Sequence, residues 1–338
     1  MSNLVCHCFL PGLSIDAEVL AEHFGSAAIE LPFSLRRLTK RGDSARLAPV
    51  DHDSALLRAH GIASESAHGA AAIMAAGDGL DAGQAAWLRA DPVHLSVEQD
   101  RLVLRDAQFL DLTHGEAQAL CETLNAHFAP DNIEFVVADA QRWYIRLASM
   151  PEISTTPLST VLGQDIHRHL PRGAEAMVWH RRYNELQMLL HDHPVNQARE
   201  QRGALPVNSV WWWGEGADSK AAAGYTSLLG NDPLLRGLAA KTQTLQRALP
   251  KSADAWLASP PGAGEHLILL DDLLRPWGYR LETEWREALA RIESTWFAPL
   301  AAALACGTIK TIKISALTAQ AQHIYTIDKR MLWRFWRG

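Results

Sequence analysis

NELQMLLHDHPVNQAREQRGALPVNSVWWWGEG, residues 184–216, packs a helix end, a turn, a strand and a glycine loop into one short stretch. From Glu175 to about His191 the apolar residues Ala176, Trp179, Tyr183, Leu186 and Leu190 step by three or four, the spacing of one buried helix face. The same spacing gathers Asn184, Gln187 and His191 on another face. Pro194 disfavours helical geometry at His193, so the helix ends near there. A second short helical or turn segment, Asn196 to Gln201, leads to Gly203 and Pro206. Val207 to Trp213, rich in Val and Trp, predicts a strand. In Gly214-Glu215-Gly216 two of three residues lack a Cβ, so backbone can approach a ligand closely. A strand running into such a loop is where ligands gather in α/β sheets, and the fold class expected is α/β, mixed α+β.

Each polar group in this stretch has a structural use beside a functional one. His191 and His193 straddle a helix end, where they serve as metal ligands or as cations favoured by the helix dipole. Asn196 and Asn208 orient a substrate or tie down loop backbone. The Trp211–Trp213 triplet predicts core packing, because adjacent residues on a strand face opposite sides and cannot all meet one ligand.

Working outward, Trp87 to Leu147 predicts a ββαββ module. Val93–Val97 and Leu102–Leu104 flank a polar turn, and Ile133–Val137 and Trp143–Leu147 form a second hairpin about Asp139-Ala140-Gln141. Between them Thr113-His114-Gly115-Glu116 is a capping box, in which each side chain meets a free backbone N–H. The helix it opens buries Ala117, Leu120, Leu124 and Phe128. The expected division is a core of 1–86 and 151–338 with the module at 87–150.

The flanks give strands at Leu4–Leu10 and His266–Leu270, and a closing pair at Thr308–Leu317 and His323–Ile327. Helices are predicted for Ile15–Phe24, from Asn231-Asp232-Pro233 through Leu249, and for Thr283–Leu304 with Trp285, Leu289, Ile292, Trp296 and Leu300 buried. His52, His60 and His68 recur every eight residues, a period that aligns no face, and are expected on the solvated surface. Cys6-His7-Cys8 lies in the first strand, which predicts reduced cysteines sharing one face. Gly77-Asp78-Gly79 lacks a preceding strand and a third glycine, which argues against a dinucleotide site.

The 338 residues suffice for one large domain or two ordinary ones. A net charge of −6 argues against a general nucleic-acid grip, which needs a basic surface. No apolar run has membrane-span length, and residues 1–30 lack a signal pattern, so a cytoplasmic chain with no membrane partner is expected. The four cysteines have neither zinc-finger nor disulfide-framework spacing. No cofactor is expected. The aromatic–basic tail, Trp333 to Gly338, is expected to pack its indoles on the body.

Residues 184–216, with WLRADPVHL (Trp87–Leu95), QRWYIRL (Gln141–Leu147) and the terminal WRFWRG, resemble the RpfE-type regulatory protein family of proteobacteria from about residue 87 to the end. Within them HPVN (His193–Asn196), Arg199, PVN (Pro206–Asn208) and GEG (Gly214–Gly216) also resemble a segment of the archaeal-type cofactor-independent phosphoglycerate mutases. There a comparable pattern belongs to the substrate-handling region, with an arginine before the first loop glycine where this chain has Trp213. That resemblance implies an alkaline-phosphatase-like, phosphoglycerate-mutase-like core. Enzymes of this type hold two metal ions on Asp and His at strand ends, to polarise a phosphoryl group. Here the first strand ends Leu10-Pro11-Gly12 instead of in an Asp-Gly pair, and His266–Leu270 runs only into Asp271-Asp272 with no histidine following.

The expectation is therefore a non-catalytic regulatory or ligand-binding protein without a metal site. Its ligand residues would be His193, Asn196, Arg199, Asn208, Gly214 and Gly216 around a small anionic, phosphorylated ligand. Arg199 would hold the anion and the glycine loop would donate backbone N–H groups. The alternatives are a metal-dependent, 2,3-bisphosphoglycerate-independent phosphoglycerate mutase and a pure protein-interaction module with an unknown partner.

Overall fold

The structure is a computed structural model; it describes residues 3–25, 29–63, 67–81, 83, 85–98, 100–216, 219–259, 262–318 and 322–333. The chain divides into two compact units, Met1–Gly61 with Ala221–Gly338, and Ile62–Lys220. The second unit is wider than the module expected at 87–150 and takes in the 184–216 stretch, whose strand Ser209–Trp213 joins the module's sheet.

The first unit begins with β1 (Leu4–Pro11), α1 (Ala17–Phe24), α2 (Phe33–Arg41), β2 (Asp43–Leu47) and α3 (His52–Ala59). The second unit follows with α4 (Ala70–Gly77), β3 (Ala86–Glu98), β4 (Arg101–Arg105), α5 (His114–Phe128), β5 (Ile133–Asp139) and β6 (Arg142–Leu147). It is completed by α6 (Leu158–Val161), α7 (Ala176–His191), α8 (Pro194–Gln201) and β7 (Ser209–Trp213). The chain returns to the first unit with β8 (Ser227–Leu229), α9 (Pro233–Thr242), β9 (Leu245–Arg247), α10 (Ala253–Ala258) and β10 (Gly264–Leu269). It closes with α11 (Leu274–Gly278), α12 (Glu282–Ile292), α13 (Ala298–Cys306), β11 (Thr311–Leu317) and β12 (Gln322–Asp328).

In the first unit seven strands run in the order β2-β12-β11-β1-β10-β8-β9. β1 pairs in parallel with β10 and β11, while β12 and β2 close one edge antiparallel. Strands covered on both faces are largely apolar, as β1 is apart from His7. One face carries Cys6, Cys8, Leu10, Ile268, Ile312 and Ile314, packed under Trp285, Leu289, Ile292, Trp296 and Leu300. All five members of that helical stripe are buried as the periodicity predicts. The helix itself differs from expectation. A π-helical turn, Glu293–Phe297, separates α12 from α13, and Pro299 falls in the first turn of α13, where its missing N–H costs little. The turn aims the Glu293 carboxylate at the start of α2, where it accepts from Ser34 N at 2.7 Å and Leu35 N at 3.1 Å. The N-cap of α2, Pro32, makes no side-chain cap of its own, so Glu293 satisfies two otherwise orphan donors. α9 also stops before Leu249, closed by Gln243 in the left-handed region at φ 54°, and β9 follows as an edge strand.

The second unit holds the sheet β4-β3-β6-β5, with β7 also pairing β3 antiparallel. Both expected hairpins form, and Thr113 and Glu116 make the reciprocal capping box that starts α5. One sheet face (Leu88, Ala90, Trp143, Ile145, Val210 and Trp212) is covered by Leu120, Leu124 and Phe128 of α5 and by Trp179, Tyr183, Leu186 and Leu190 of α7. Within the triplet, Trp212 meets Tyr183 at 4.3 Å and Trp179 at 4.9 Å. Trp213 turns to the opposite face, its indole N–H donating to Asp91 at 2.6 Å. All three indoles are buried, as expected of a core strand.

His52 and His60 are not solvated, contrary to their sequence reading. The His60 residue is 1% exposed, and its Nδ1 lies 2.9 Å from the Leu56 carbonyl oxygen. The eight-residue period misled because His52 opens α3 and His60 closes it, each turned inward at a helix end. His68 does retain an exposed side chain. Of the aromatic–basic tail, Trp333 is 66% exposed, more than the expected packing on the body implies, and residues 334–338 lie outside the described residues. Among the described residues no helix is long and apolar enough to cross a membrane.

Candidate functional site

Pro194 ends α7 as the sequence dictates, and His193 becomes the N-cap of α8. Its Nδ1 accepts the Val195 N–H at 3.2 Å and its Nε2 lies 2.9 Å from the Thr123 hydroxyl. Burial lowers the His193 pKa, in keeping with an unprotonated Nδ1 acting as acceptor. Asn196 donates to the Leu190 and Val207 carbonyls at 2.7 and 2.8 Å and accepts from Val207 N at 2.9 Å. It therefore fastens the end of α7 to the approach of β7. Arg199, 0% exposed, donates Nε to the Leu205 carbonyl at 2.9 Å, Nη1 to Glu116 at 3.0 Å and Nη2 to the Leu110 carbonyl. Burial works to raise the Glu116 pKa, but the Thr113 N–H, Arg202 and Arg199 outweigh it and hold it at about 2.

The glycine loop presents carbonyls as well as N–H groups. Gly214 and Glu215 accept, through their backbone oxygens, the N–H groups of Ala71 and Gly69 at the start of α4, at 3.0 and 2.6 Å. The Gly214 N–H donates to Thr155 Oγ1 at 3.2 Å, and Thr155 donates both its N–H and its hydroxyl to the Glu215 carboxylate. A Cβ on Gly216 would lie 2.5 Å from Gly69 N, so only glycine permits the loop to seat on α4.

Of the six residues expected to bind a ligand, His193, Asn196 and Arg199 are buried in internal hydrogen bonds, and Gly214 and Gly216 brace α4. Asn208 lines an open groove of about 580 Å³ on the second unit. Its apolar lining is Leu95, Leu102 and Met188, and its polar lining includes Asn184, Gln187 and His191 of α7 with the cap residue Asp192. Asn184, Gln187 and His191 are the three residues that helical spacing aligned, joined by Asn208 just before β7. Carboxamides offer a donor and an acceptor each, so the groove suits a small polar ligand held against an apolar lining. The contribution of Leu95 and Leu102 from a hairpin about ninety positions upstream has no local signature.

A pair of divalent ions, which the mutase resemblance implies, finds no fitting donors at the end of β1. Gly12 there, at φ 81°, presses on Leu273, whose carbonyl oxygen would lie 2.5 Å from an added Cβ. Leu10 and Leu13 are fully buried on either side. Among the described residues no group of three or more His, Cys, Asp or Glu side chains is arranged to hold a metal ion. Tertiary structure nevertheless assembles an electrostatic cluster in the first unit that sequence reading missed. His52 Nε2 lies 3.3 Å from Asp53 Oδ1. Burial alone would lower the His52 pKa, yet the carboxylates of Asp53, Asp232, Asp51 and Asp271 raise it. Asp271 keeps solvent exposure as a residue, but desolvation of its carboxyl by the surrounding chain, then Asp232, raise it to about 6.

On β1, Cys6 and Cys8 share a face with sulfurs 3.5 Å apart and are free thiols, as expected. His7 points the other way, 2.9 Å from Ser315 Oγ and 3.0 Å from the Tyr225 hydroxyl. Burial lowers the His7 pKa, while His7 and Lys313 together overcome burial to bring Glu265 to about 2.

Residues 49–196 match the family model described as 2,3-bisphosphoglycerate-independent phosphoglycerate mutase. The mutase of that name from Methanosarcina mazei is 29% identical over 123 residues, covering 36% of this chain and 31% of that protein. The probable mutase of that name from Geobacter sulfurreducens is 28% identical over 160 residues, 46% of this chain and 39% of that protein. The similarity thus spans about a third of the length of these curated relatives. The solved structure of the PH0037 protein from Pyrococcus horikoshii aligns over 97% of this chain and 88% of its own, with a TM-score of 0.52 at 11% identity. That likeness is one of fold, mixed α/β with sheets and helices throughout.

Proposed function

We propose that the protein is a non-catalytic, ligand-binding regulator of the RpfE type, built on a scaffold similar to the phosphoglycerate mutases. The observation that carries this reading is the end of β1. Where a mutase of this type would need its first metal-binding carboxylate, Leu10, Gly12 and Leu13 close the chain against Leu273. Without a metal to polarise the phosphoryl group and lower the nucleophile's pKa, transfer chemistry lacks its driving electrostatics. The groove lined by Asn184, Gln187 and Asn208 is the ligand site in this reading, and the relatives' names make phosphorylated three-carbon acids the first ligands to try.

Calorimetry with 3-phosphoglycerate and 2-phosphoglycerate tests it, with Asn184→Ala/Gln187→Ala as the matched control. Saturable heat that the double variant loses is the expected result. Heat that the variant keeps moves the ligand elsewhere, and no heat with either acid removes the phosphorylated ligand.

The match of residues 49–196 to the mutase family model favours a second reading, a metal-dependent phosphoglycerate mutase. Interconversion of the two acids above blank with Mn²⁺ or Mg²⁺, abolished by Asp232→Asn, would establish that reading and displace the first.

A further inference from the structure

The exposed face of α2 carries Phe33, Arg36 and Lys40 at helical spacing, while Leu35 and Leu38 bury the opposite face. The turn Lys329–Trp333 lies beside this helix, because Arg41 donates to the Leu332 carbonyl and Leu38 and Leu332 share one core. Lys329 and Arg330 are exposed, and Phe33 and Trp333 are 67% and 66% exposed, two of the most solvent-accessible large apolar side chains described. A chain of net charge −6 therefore exposes four cations and two aromatic rings on α2 and the turn beside it. Acids beside them include Glu30, 3.6 Å from Arg36 and itself 87% exposed, Glu293, which accepts the Ser34 and Leu35 N–H groups, and Asp328, which accepts the Arg330 and Met331 N–H groups.

We propose that the α2 face and the Lys329–Trp333 turn form a docking surface for an anionic lipid bilayer. Cations beside outward aromatic rings suit the headgroup region, where charge meets phosphate and a ring sits at the polar–apolar boundary. The surface is the outer face of a helix rather than a groove, so it does not track and stack a nucleic-acid strand. The charge complementarity is to a negative surface, and the residues of this surface belong to the first unit while those of the groove belong to the second. This inference is independent of the proposed ligand.

The test is co-sedimentation of the full chain with phosphatidylcholine vesicles, with and without phosphatidylglycerol. Binding should be at least about tenfold stronger to vesicles with about 30% phosphatidylglycerol, and should weaken as salt rises from about 0.05 M to about 0.5 M. Arg36→Gln/Lys40→Gln should weaken it about tenfold, and Lys329→Gln/Arg330→Gln likewise, with circular dichroism unchanged. Phe33→Ser should remove the fraction that resists salt. Absence of binding, equal binding to neutral vesicles, or unchanged binding by both cation variants overturns the proposal. So does stronger binding to a single-stranded oligonucleotide, or a dimer of this chain that Phe33→Ser dissolves.

Discussion

Asn208 pairs with Leu95 as a strand residue would. Its side-chain oxygen accepts the Leu95 N–H at 2.7 Å, and its amide nitrogen donates to the Leu95 carbonyl at 2.9 Å. β7 begins only at Ser209, opposite Val93, so the Asn208 amide extends the pairing of β3 past the end of its neighbour. Replacing it with Ala leaves two main-chain groups without these partners, at a cost of about 1–3 kcal/mol. Urea unfolding of Asn208→Ala should show a lower midpoint, and an unchanged midpoint would show that solvent replaces the amide freely.

Arg199 and Glu116 couple α8 to the cap of α5. Arg199→Met removes a buried cation from a hydrogen-bonded set and is expected to cost about 3–5 kcal/mol, because its partners are left behind. The Glu116 pKa of about 2 lies below its usual 4.5, so its stabilisation is complete above 4.5 and is lost as pH falls toward 2. The acid limb of the stability profile of Glu116→Gln should be flatter across that window. Parallel profiles for the two proteins would contradict the coupling.

Trp213 stands where the mutase pattern has arginine, and across the sheet it pairs in register with Arg89. The Arg89 guanidinium lies 5.4 Å from the Trp213 ring and donates to Asp91, and all three residues are buried. A second guanidinium at 213 would bury another cation beside Arg89, with Asp91 already paired to it. Trp213→Arg should destabilise the chain by about 3 kcal/mol or more, measured by thermal unfolding. A variant as stable as the parent would mean that the site accepts the mutase residue after all.

Asp271 should act on stability with the opposite sign to Glu116. Its pKa is raised from 3.8 to about 6, so the folded state holds its proton longer and stability falls as pH rises through that window. Asp271→Asn should therefore stabilise the chain at pH 8 and be neutral near pH 3, by about 1 kcal/mol once solvent screening of an exposed residue is counted. Thermal melts at both pH values check the sign, and stabilisation confined to low pH would refute the electrostatic cluster.

Contacts between near neighbours in sequence were legible from the chain alone. The periodicity of α7, the break at Pro194, the Thr113–Glu116 capping box and the two hairpins each depend on residues a few positions apart. Alternation along β7 likewise told that the three indoles point to different sides and pack. Tertiary structure alone decided which polar groups fasten the chain and which face an opening. Arg199 meets Glu116 and Leu110 over more than eighty positions, and Asn208 meets Leu95 over more than a hundred. The same holds for His52, Asp232 and Asp271, drawn together from three separate segments, and for the π-helical turn that brings Glu293 to α2. A side chain's hydrogen-bonding capacity is written in its chemistry, but its partner depends on strand order and register, which no local pattern encodes.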